Sequence, residues 1–132
     1  MDRKEKALKN RAEKKYNCAQ SVLCAFDDLT GLDTETALAI GDGFGGGLHC
    51  GQVCGALSGG VMALGIICKN GGEYPVHNEK IRRLTKTLTK RFKEEEGHYG
   101  CWDLLASTKE RRCEKYILDT IGMVEEILEE EK

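Results

Sequence analysis

The sequence predicts an all-α fold, a small bundle of five to six helices formed as a single helical domain over residues 1–132. Three observations indicate this class. Apolar residues recur at three- and four-residue steps along most of the chain, which is the period of an amphipathic helix. No segment shows the two-residue alternation of a half-buried strand. The chain has the length of one ordinary domain, and its 40 % apolar and 6 % aromatic residues predict a mainly aliphatic core.

The first predicted helix is long and covers residues 3–29. Its apolar stripe consists of residues spaced mostly by three or four positions, namely Ala12, Tyr16, Ala19, Val22, Leu23, Phe26 and Leu29. Gly31 is the predicted C-terminal stop of this helix. Asp33 then caps a short helix that continues to about Ile40.

The stretch from Gly41 to Gly60 is the most unusual part of the chain, because nine of its twenty residues are glycine. Glycine loses the most backbone entropy on folding, so this density predicts unusual backbone conformations or the close approach of another group. A helix is expected over residues 54–68. On it, Gly55, Gly59 and Ala63 form a smooth groove against which another helix can pack closely.

The next predicted helix begins after Asn78, its N-cap, and ends near Glu96, before Gly97. The loop that precedes it is marked by four turn-forming residues: Asn70, Gly71, Gly72 and Pro75. A short helix then covers residues 101–106. Ser107 and Glu110 fit a capping box, which opens a last helix that continues to about residue 129.

Charge is nearly balanced over the whole chain, with a net charge of −2, and no basic surface for nucleic acid is indicated. Residues 3–15 carry seven Lys or Arg against two Glu, whereas the turns from Glu125 to Glu131 carry five Glu. The more common interpretation of such runs is two solvated helix ends. The other interpretation is a complementary contact between them, within one chain or between the copies of a homo-oligomer.

Nothing in the chain predicts insertion into a membrane. The start, MDRKEKALKNRAEKK, lacks the apolar core of a signal peptide. The longest apolar run, residues 59–68, is shorter than the ~20 residues that a helix needs to cross a bilayer. We therefore expect a cytoplasmic protein, in a compartment where thiols are kept reduced.

Gly41, Gly43 and Gly46 match the letters of the dinucleotide-binding motif GxGxxG. That motif must follow a strand and open a helix, and here a helical segment precedes it, so we reject this interpretation. The chain also lacks a phosphate-binding loop, a GxSxG elbow around Ser58, the CxxCH of covalent haem and the CxxC pairs of zinc fingers. Any chemistry therefore rests on the cysteines.

Seven cysteines in a reducing compartment indicate metal binding or redox chemistry rather than a disulfide framework. Cys54 is the first candidate, because it lies at the expected N-terminus of a helix, where the helix dipole lowers the pKa of a thiol. Cys101 begins a short helix in the same way. Cys113 lies on the apolar stripe of the last helix, and Cys18 has polar neighbours.

The other three cysteines have weaker claims to chemistry. Cys24 and Cys68 lie in apolar runs and are expected to be core residues. Cys50 forms a CxxxC pair with Cys54, and in a continuous helix the two would face each other about 5–6 Å apart. His49 is more typical of an exposed loop residue than of a base or ligand.

Six short segments follow one another in a characteristic order over roughly residues 15–125: NCAQSV, GFGGG, CGALSG, ALG, CWDLL and RRCEKY. In these segments the chain resembles the C_GCAxxG_C_C family of redox-active proteins. The resemblance implies a helical domain with a thiol or redox role. It also implies four shared cysteines, which are Cys18, Cys54, Cys101 and Cys113. The cysteines added to that set are Cys24, Cys50 and Cys68.

The resemblance also implies cofactors and partners. A similar domain occurs in split-Soret cytochromes beside haem and an iron–sulfur site, but this chain lacks CxxCH, so covalent haem is not expected. Many members are encoded near transporter genes. The implied partner is therefore an unknown redox protein or a membrane transporter.

Three functions remain open from the sequence. In thiol/disulfide or electron-transfer chemistry, Cys54 is the attacking thiolate, and the resolving thiol is Cys18, Cys101, Cys113 or Cys50. In a metal site, the thiolates of Cys18, Cys54, Cys101 and Cys113 converge on a [2Fe–2S] cluster or on zinc. In the third, the protein is a non-enzymatic helical partner or carrier linked to a transporter, and its cysteines are mainly buried.

Overall fold

A computed structural model describes residues 1–70 and 79–132, and this part of the chain is predominantly helical. Its eight α-helices are, in order, α1 Arg3–Lys14, α2 Cys18–Ala25, α3 Asp27–Thr30, α4 Thr34–Asp42, α5 Gly55–Asn70, α6 Glu79–Glu96, α7 Cys101–Thr108 and α8 Cys113–Glu130. An irregular turn, Gly47–Gly51, lies between α4 and α5, and we call it the glycine turn. The all-α prediction is confirmed, whereas five to six helices are too few for the described residues.

The prediction of one helix over residues 3–29 is wrong, because the chain breaks it into α1, α2 and α3. Lys15 adopts a left-handed conformation, with a φ of 61°, directly after α1. Asn17 then caps α2: its side-chain oxygen accepts the Gln20 N–H at 2.8 Å, and the Gln20 side-chain oxygen accepts the Asn17 N–H at 2.9 Å. The continuous apolar stripe misled the prediction, because periodicity alone does not detect a cap.

Two predicted helix ends are confirmed around the start of α4. Gly31 ends α3 with a φ of 70°, a conformation that glycine adopts without steric cost. Asp33 caps α4 by accepting the Thr36 N–H at 3.0 Å. The helix α4 continues two residues beyond the predicted Ile40, to Asp42.

The predicted groove on α5 is where α2 packs. A Cβ atom added to Gly59 would lie 2.6 Å from the Ala19 carbonyl oxygen, and one added to Gly55 would lie 3.2 Å from the Cys18 Cβ. Because these side chains are missing, the two backbones approach closely. The N-terminus of α5 therefore lies beside the N-terminus of α2.

The end of α6 is also as predicted. The helix stops at Glu96, and Gly97 follows with a φ of 96° and donates its N–H to the Lys93 carbonyl at 2.8 Å. The predicted N-cap Asn78 and the loop residues Gly71, Gly72 and Pro75 lie outside the described residues.

The predicted capping box of the last helix is wrong. Ser107 lies inside α7, and its hydroxyl donates to the Leu104 carbonyl at 3.0 Å. It is therefore not at the N-cap of α8, and Glu110 precedes that helix. Arg112 holds the position before α8 and makes no side-chain capping bond there.

The core lies where α2, α5, α6 and α8 meet, and it is mainly aliphatic, as expected. Its fully buried side chains include Val22, Leu57, Leu88, Phe92 and Ile121. Over residues 1–70 and 79–132, no helix combines the length and the apolar character that crossing a bilayer requires.

The basic start and the acidic end of the chain meet in one ion pair, because Arg3 Nη1 of α1 lies 3.1 Å from Glu125 Oε2 of α8. Other acidic groups at the end of α8 pair with α6, and Arg91 Nη2 lies 2.8 Å from Glu130 Oε1. The interpretation as a complementary contact therefore holds within the chain at Arg3. Exposed pairs of this kind contribute little to stability, about 0–1 kcal/mol.

Candidate functional site

Four helices in the described part of the chain begin at a cysteine or directly after one. Cys18, Cys101 and Cys113 are the first residues of α2, α7 and α8. Cys54 directly precedes α5, and its carbonyl accepts the Ser58 N–H at 3.1 Å, the first hydrogen bond of that helix. A helix N-terminus presents unpaired N–H groups and the positive end of the helix dipole, and both stabilise a thiolate.

These four cysteines line one cavity of about 170 Å³, which we call the cysteine cavity. All four are free thiols; Cys18 and Cys54 are buried, whereas Cys101 and Cys113 are partly exposed. The fold therefore brings together four residues that are far apart in the sequence, and a reagent from solvent can reach two of them.

Cys18 and Cys113 lie close enough in the cavity for a hydrogen bond between a Cys18 thiol and a Cys113 thiolate to govern the pKa of each. This bond lowers the pKa of Cys113 to about 6; the charges of Arg11 and Arg111 act in the same direction, and partial burial opposes them. The same bond, together with burial, raises the pKa of Cys18 far above its ordinary value. Cys18 is therefore the thiol that donates the hydrogen, and Cys113 is the thiolate that accepts it.

Cys54 has the position that the sequence predicted but not the predicted acidity. The backbone N–H groups of Ala56 and Leu57 act to lower the pKa of Cys54. Burial is the larger effect and raises the pKa of Cys54 to about 11. The expectation of a lowered pKa at Cys54 is therefore wrong, because the site lies too deep for the helix terminus to compensate.

Backbone hydrogen bonds tie the start of α7 to the start of α5. The Cys54 N–H donates to the Tyr99 carbonyl at 2.8 Å, and the Cys101 N–H donates to the Gln52 carbonyl at 2.7 Å. The two bonds lie on either side of an isolated antiparallel bridge between Val53 and Gly100. The relative position of Cys54 and Cys101 is thus set by the backbone rather than by flexible side chains.

The glycine turn explains much of the glycine density before Cys54. Its residues Leu48 and His49 have φ values of 62° and 55°, so the chain does not form a regular helix here. Gly51 has a φ of 74°, and a Cβ atom on it would overlap the Trp102 ring. The turn thereby brings its backbone against α7. The left-handed conformations of Leu48 and His49 are strained, and backbone strain of this kind is common near functional sites.

Cys50 lies in the glycine turn, so the continuous helix that a facing CxxxC pair of Cys50 and Cys54 requires is not formed. Its φ is −140°, its side chain is exposed, and its thiol donates to the Gly47 carbonyl at 3.6 Å. His49 is exposed too, with Nε2 lying 3.3 Å from the Asp42 carbonyl oxygen. Neither residue lines the cysteine cavity.

Cys24 and Cys68 pack with the core, as predicted. Cys24 is 4 % exposed within the apolar cluster, and Cys68 is partly buried against it. Burial raises the pKa of both thiols, which makes them poor nucleophiles at neutral pH.

Comparison with known families agrees with this geometry. Residues 16–127 match the model of the family described as "Putative redox-active protein (C_GCAxxG_C_C)". The chain belongs to this family. No curated protein and no solved structure matches the chain. The four cysteines to which the resemblance points all line the cavity, and the family's description supports a general redox role for this C_GCAxxG_C_C protein.

Further residues of the site were not identified from the sequence of this C_GCAxxG_C_C protein. Arg11, Arg111 and Tyr116 line the cysteine cavity. Arg111 and Tyr116 lie two residues before and three residues after Cys113, so their spacing along one helix start was a usable signal. Arg11 belongs to α1 and had no such signal, because only the fold brings it to the cavity.

The cavity contains cysteine sulfurs, the ligands that zinc and iron–sulfur clusters prefer, but these sulfurs do not surround a common centre. Four thiolates must surround one small centre for a zinc site or a [2Fe–2S] cluster. Within the described ranges, no three His, Cys, Asp or Glu side chains are placed so that they could hold one metal ion. The residues therefore fit such a group in type but not in arrangement, and a four-cysteine metal site is not confirmed.

Proposed function

We propose that the protein is a thiol–disulfide redox protein in which Cys113 is the attacking thiolate and Cys18 the resolving thiol. The observation that carries this proposal is that these two thiols line one cavity, where a hydrogen bond from Cys18 stabilises the Cys113 thiolate. In the reaction, the Cys113 thiolate attacks one sulfur of a substrate disulfide and releases the other as a thiolate. The Cys18 sulfur then gives up its proton, attacks Cys113 and displaces the second substrate thiol. The substrate disulfide is reduced to two thiols, and the two cysteines are oxidised to one disulfide.

The division of roles follows from accessibility and acidity. Cys113 is partly exposed, so a substrate sulfur can approach it, and its lowered pKa keeps it ionised at neutral pH. Cys18 is buried and protonated, which suits a thiol that reacts only after a mixed disulfide has formed beside it. The attacking role that the sequence assigned to Cys54 passes to Cys113, because a pKa of about 11 keeps Cys54 protonated.

Cys54 and Cys101 form the second pair of this proposal. Both line the same cavity, and backbone hydrogen bonds hold their helix starts together. By thiol–disulfide exchange, they would receive the disulfide from Cys18 and Cys113, returning these to the reduced state. That exchange conserves atoms and electrons, because one disulfide and two thiols are present before and after it.

The proposal is tested by trapping the intermediates. The reduced protein is treated anaerobically with bis(2-hydroxyethyl) disulfide, free thiols are alkylated, and the products are mapped by mass spectrometry. In the unmodified chain we expect a Cys18–Cys113 disulfide first and a Cys54–Cys101 disulfide as exchange proceeds. In Cys18→Ser we expect a stable mixed disulfide at Cys113. We expect no mixed disulfide in the cavity in Cys113→Ser.

Cys50→Ser and Cys68→Ser are the matched controls, since each removes a thiol outside the cavity. Both should behave like the unmodified chain. A Cys113 that stays fully alkylatable after treatment, or a first mixed disulfide that forms at Cys54, would contradict the assignment.

A metal centre is the second candidate function, favoured by the presence of four thiols around one cavity. Its test is metal analysis and absorbance of protein purified anaerobically. Stoichiometric zinc or iron that is lost in Cys18→Ser and Cys54→Ser, but kept in Cys50→Ser, would replace the dithiol proposal. Metal-free protein would leave the dithiol proposal as the better account.

A further inference from the structure

We infer that the cysteine cavity takes small disulfides that carry carboxylate groups, in preference to neutral or cationic ones. This inference rests on the proposed thiol–disulfide function and names the substrate class of that same site. It is drawn from the charge around the cavity, from one buried hydroxyl group without a partner and from the size of the space.

The cavity is rich in positive charge that the protein itself does not neutralise. Arg11, Arg111 and Arg112 line it, against the single carboxylate of Glu110. Glu110 Oε1 lies 3.1 Å from Arg112 Nη2, which neutralises one of the three cations. No carboxylate in the described part of the chain pairs with Arg11 or Arg111.

The four helix N-termini add to this positive field. Each places the positive end of its dipole at a cavity cysteine, and none of these four helices is shorter than eight residues. Even with Cys113 ionised, at least one cation at the mouth has no counterion. A negatively charged ligand would supply it.

An independent observation points to a ligand with hydrogen-bond acceptors. Tyr116 lines the cavity and is only 7 % exposed, and its hydroxyl is buried with no hydrogen-bond partner among the described residues. Burial raises the Tyr116 pKa, and the neighbouring Thr108 hydroxyl opposes this shift, but that hydroxyl is already bonded to the carbonyls of Leu104 and Glu110. A buried hydroxyl without a partner costs about 1–3 kcal/mol, and a carboxylate oxygen in the cavity would relieve that cost.

The volume limits what can enter. About 170 Å³ is below the ~300 Å³ at which pockets for drug-sized ligands begin. A compact disulfide with short arms therefore fits, or one arm of a longer one. The partly exposed Arg11 and the exposed Arg111 then bind the carboxylate while Cys113 meets the sulfur.

The test compares three small disulfides that differ mainly in charge: dithiodiglycolate, which is anionic, bis(2-hydroxyethyl) disulfide, which is neutral, and cystamine, which is cationic. The rate of mixed-disulfide formation at Cys113 is measured in Cys18→Ser, where the product accumulates. Each rate is divided by the rate of the same disulfide with free 2-mercaptoethanol, so that differences in intrinsic reactivity cancel. We expect the anionic probe to exceed the cationic one by about tenfold or more at low salt.

Substitutions at the cavity mouth locate the source of this preference. Arg111→Gln and Arg11→Gln, each combined with Cys18→Ser, should lower the anionic-to-cationic ratio about threefold or more, and Tyr116→Phe should lower the rate with the anionic probe alone. Arg82→Gln is the matched control, because it removes an exposed arginine of α6 that does not line the cavity. It should leave the ratio unchanged. Because each comparison is a ratio, a change in the thiolate fraction of Cys113 cancels.

The outcomes separate this inference from the function on which it rests. Equal normalised rates for all three probes, or a ratio unaffected by Arg11→Gln and Arg111→Gln, would overturn the anionic preference and leave the thiol–disulfide function standing. Failure of all three probes to form a mixed disulfide at Cys113 would overturn the function and the inference together.

Discussion

Cys54 and Cys113 both stand at helix N-termini, yet their pKa values move in opposite directions. A helix terminus contributes about 0.3–1 kcal/mol to a nearby negative charge, and a pKa shift of one unit corresponds to about 1.4 kcal/mol. At Cys54 this contribution is smaller than the cost of burial, and the pKa rises to about 11. At Cys113, the Cys18 hydrogen bond outweighs a smaller degree of burial, and the pKa falls to about 6. Helix position alone therefore does not identify the reactive thiol.

The first prediction is a difference in the pH dependence of the two thiols. A lowered pKa means that the Cys113 thiolate persists at neutral pH and is lost only as the pH falls through about 6. We expect alkylation of Cys113 by iodoacetamide to be half-maximal near pH 6, and that of Cys54 to stay slow below about pH 9. Quantitative mass spectrometry of the labelled peptides measures both.

The variant that tests the cause of this acidity is Cys18→Ala, which removes the hydrogen-bond donor. We expect the midpoint for Cys113 to move upward, toward the ordinary thiol value of 9.0, because the largest cause of its acidity is gone. Cys24→Ala removes a core thiol away from the cavity and should leave the midpoint in place. Equal midpoints for Cys113 and Cys54 in the unmodified chain would refute the assignment of the acidic thiol.

At the scale of elements, the close packing of α2 and α5 positions the site. The missing side chain at Gly59 lets the α5 backbone approach the Ala19 carbonyl, and Gly55 brings the start of α5 to Cys18. At this separation the cysteines at the two helix starts share one cavity. Packing that looks merely structural thus determines which thiols meet.

The second prediction follows from this packing. Gly59→Ala would place a methyl group 2.6 Å from the Ala19 carbonyl oxygen, so α5 must shift away from α2. We expect a loss of about 1–3 kcal/mol in the free energy of unfolding, measured by denaturation in guanidinium chloride. Gly65→Ala lies on the same helix with no atom within 4 Å of the added Cβ. This control should be stabilised by up to about 1 kcal/mol, and equal effects of the two substitutions would argue against the close approach.

The end of α6 and the middle of α8 are linked by a buried carboxylate. The Glu96 side chain is fully buried, and its Oε1 accepts a hydrogen bond from Lys115 Nζ at 2.5 Å. The same ammonium group donates to Asp119 Oδ2 at 2.8 Å. Burial and the neighbouring Asp119 raise the pKa of Glu96 to about 7, and Lys115 opposes the shift. The second oxygen of Glu96 has no hydrogen-bond partner among the described residues.

The third prediction concerns pH and stability at this carboxylate. With a raised pKa, Glu96 binds a proton in the folded state that the unfolded chain has released, so its contribution to stability is present at about pH 4.5 and is lost as the pH rises through about 7. We expect Glu96→Gln to remove this loss, so that the variant gains stability relative to the unmodified chain between pH 5 and about 8. Thermal unfolding at both pH values measures the difference. Glu95→Gln, an exposed neighbour, is the control, and a pH-independent difference for Glu96→Gln would contradict the raised pKa.

At the scale of the whole molecule, the cysteine cavity joins elements from both ends of the chain. α1 supplies Arg11, α2 supplies Cys18, and α8 supplies Cys113 and Tyr116. A disulfide between Cys18 and Cys113 would close a loop that contains most of the chain. The redox state of the cavity should therefore affect the stability of the entire fold.

The fourth prediction is that oxidation stabilises the protein. A disulfide that closes so long a loop removes much conformational entropy from the unfolded chain and typically contributes about 2–4 kcal/mol. We expect the oxidised unmodified chain to unfold at a higher guanidinium chloride concentration than the reduced one. In Cys113→Ser the difference should vanish. A lower stability of the oxidised form would mean that this pair does not close without strain, and would count against the proposed cycle.

The sequence by itself determined the helical class, the helix ends at Gly31, Asp33 and Gly97, the groove on α5 and membership of the C_GCAxxG_C_C family. These features are local or periodic, so they can be derived from neighbouring residues. The break at Asn17 was also local, but the apolar stripe that continues through it concealed the cap. The apolar periodicity continues across the Asn17 cap, because α1 and α2 pack against the same core.

Only the tertiary structure decided how the cysteines relate to one another. Whether a thiol is acidic depends on its burial and on the groups around it, and for Cys113 those groups are Cys18 and Arg11, which come from the opposite end of the chain. The glycine-rich stretch shows both what the sequence predicts and what only the fold decides. Its composition predicted close contact and a helix start at Cys54, but the fold placed the exposed Cys50 in an irregular turn and the buried Cys54 in the cavity. Desolvation and contacts between distant segments arise only when the chain has folded, and they decide which thiol reacts.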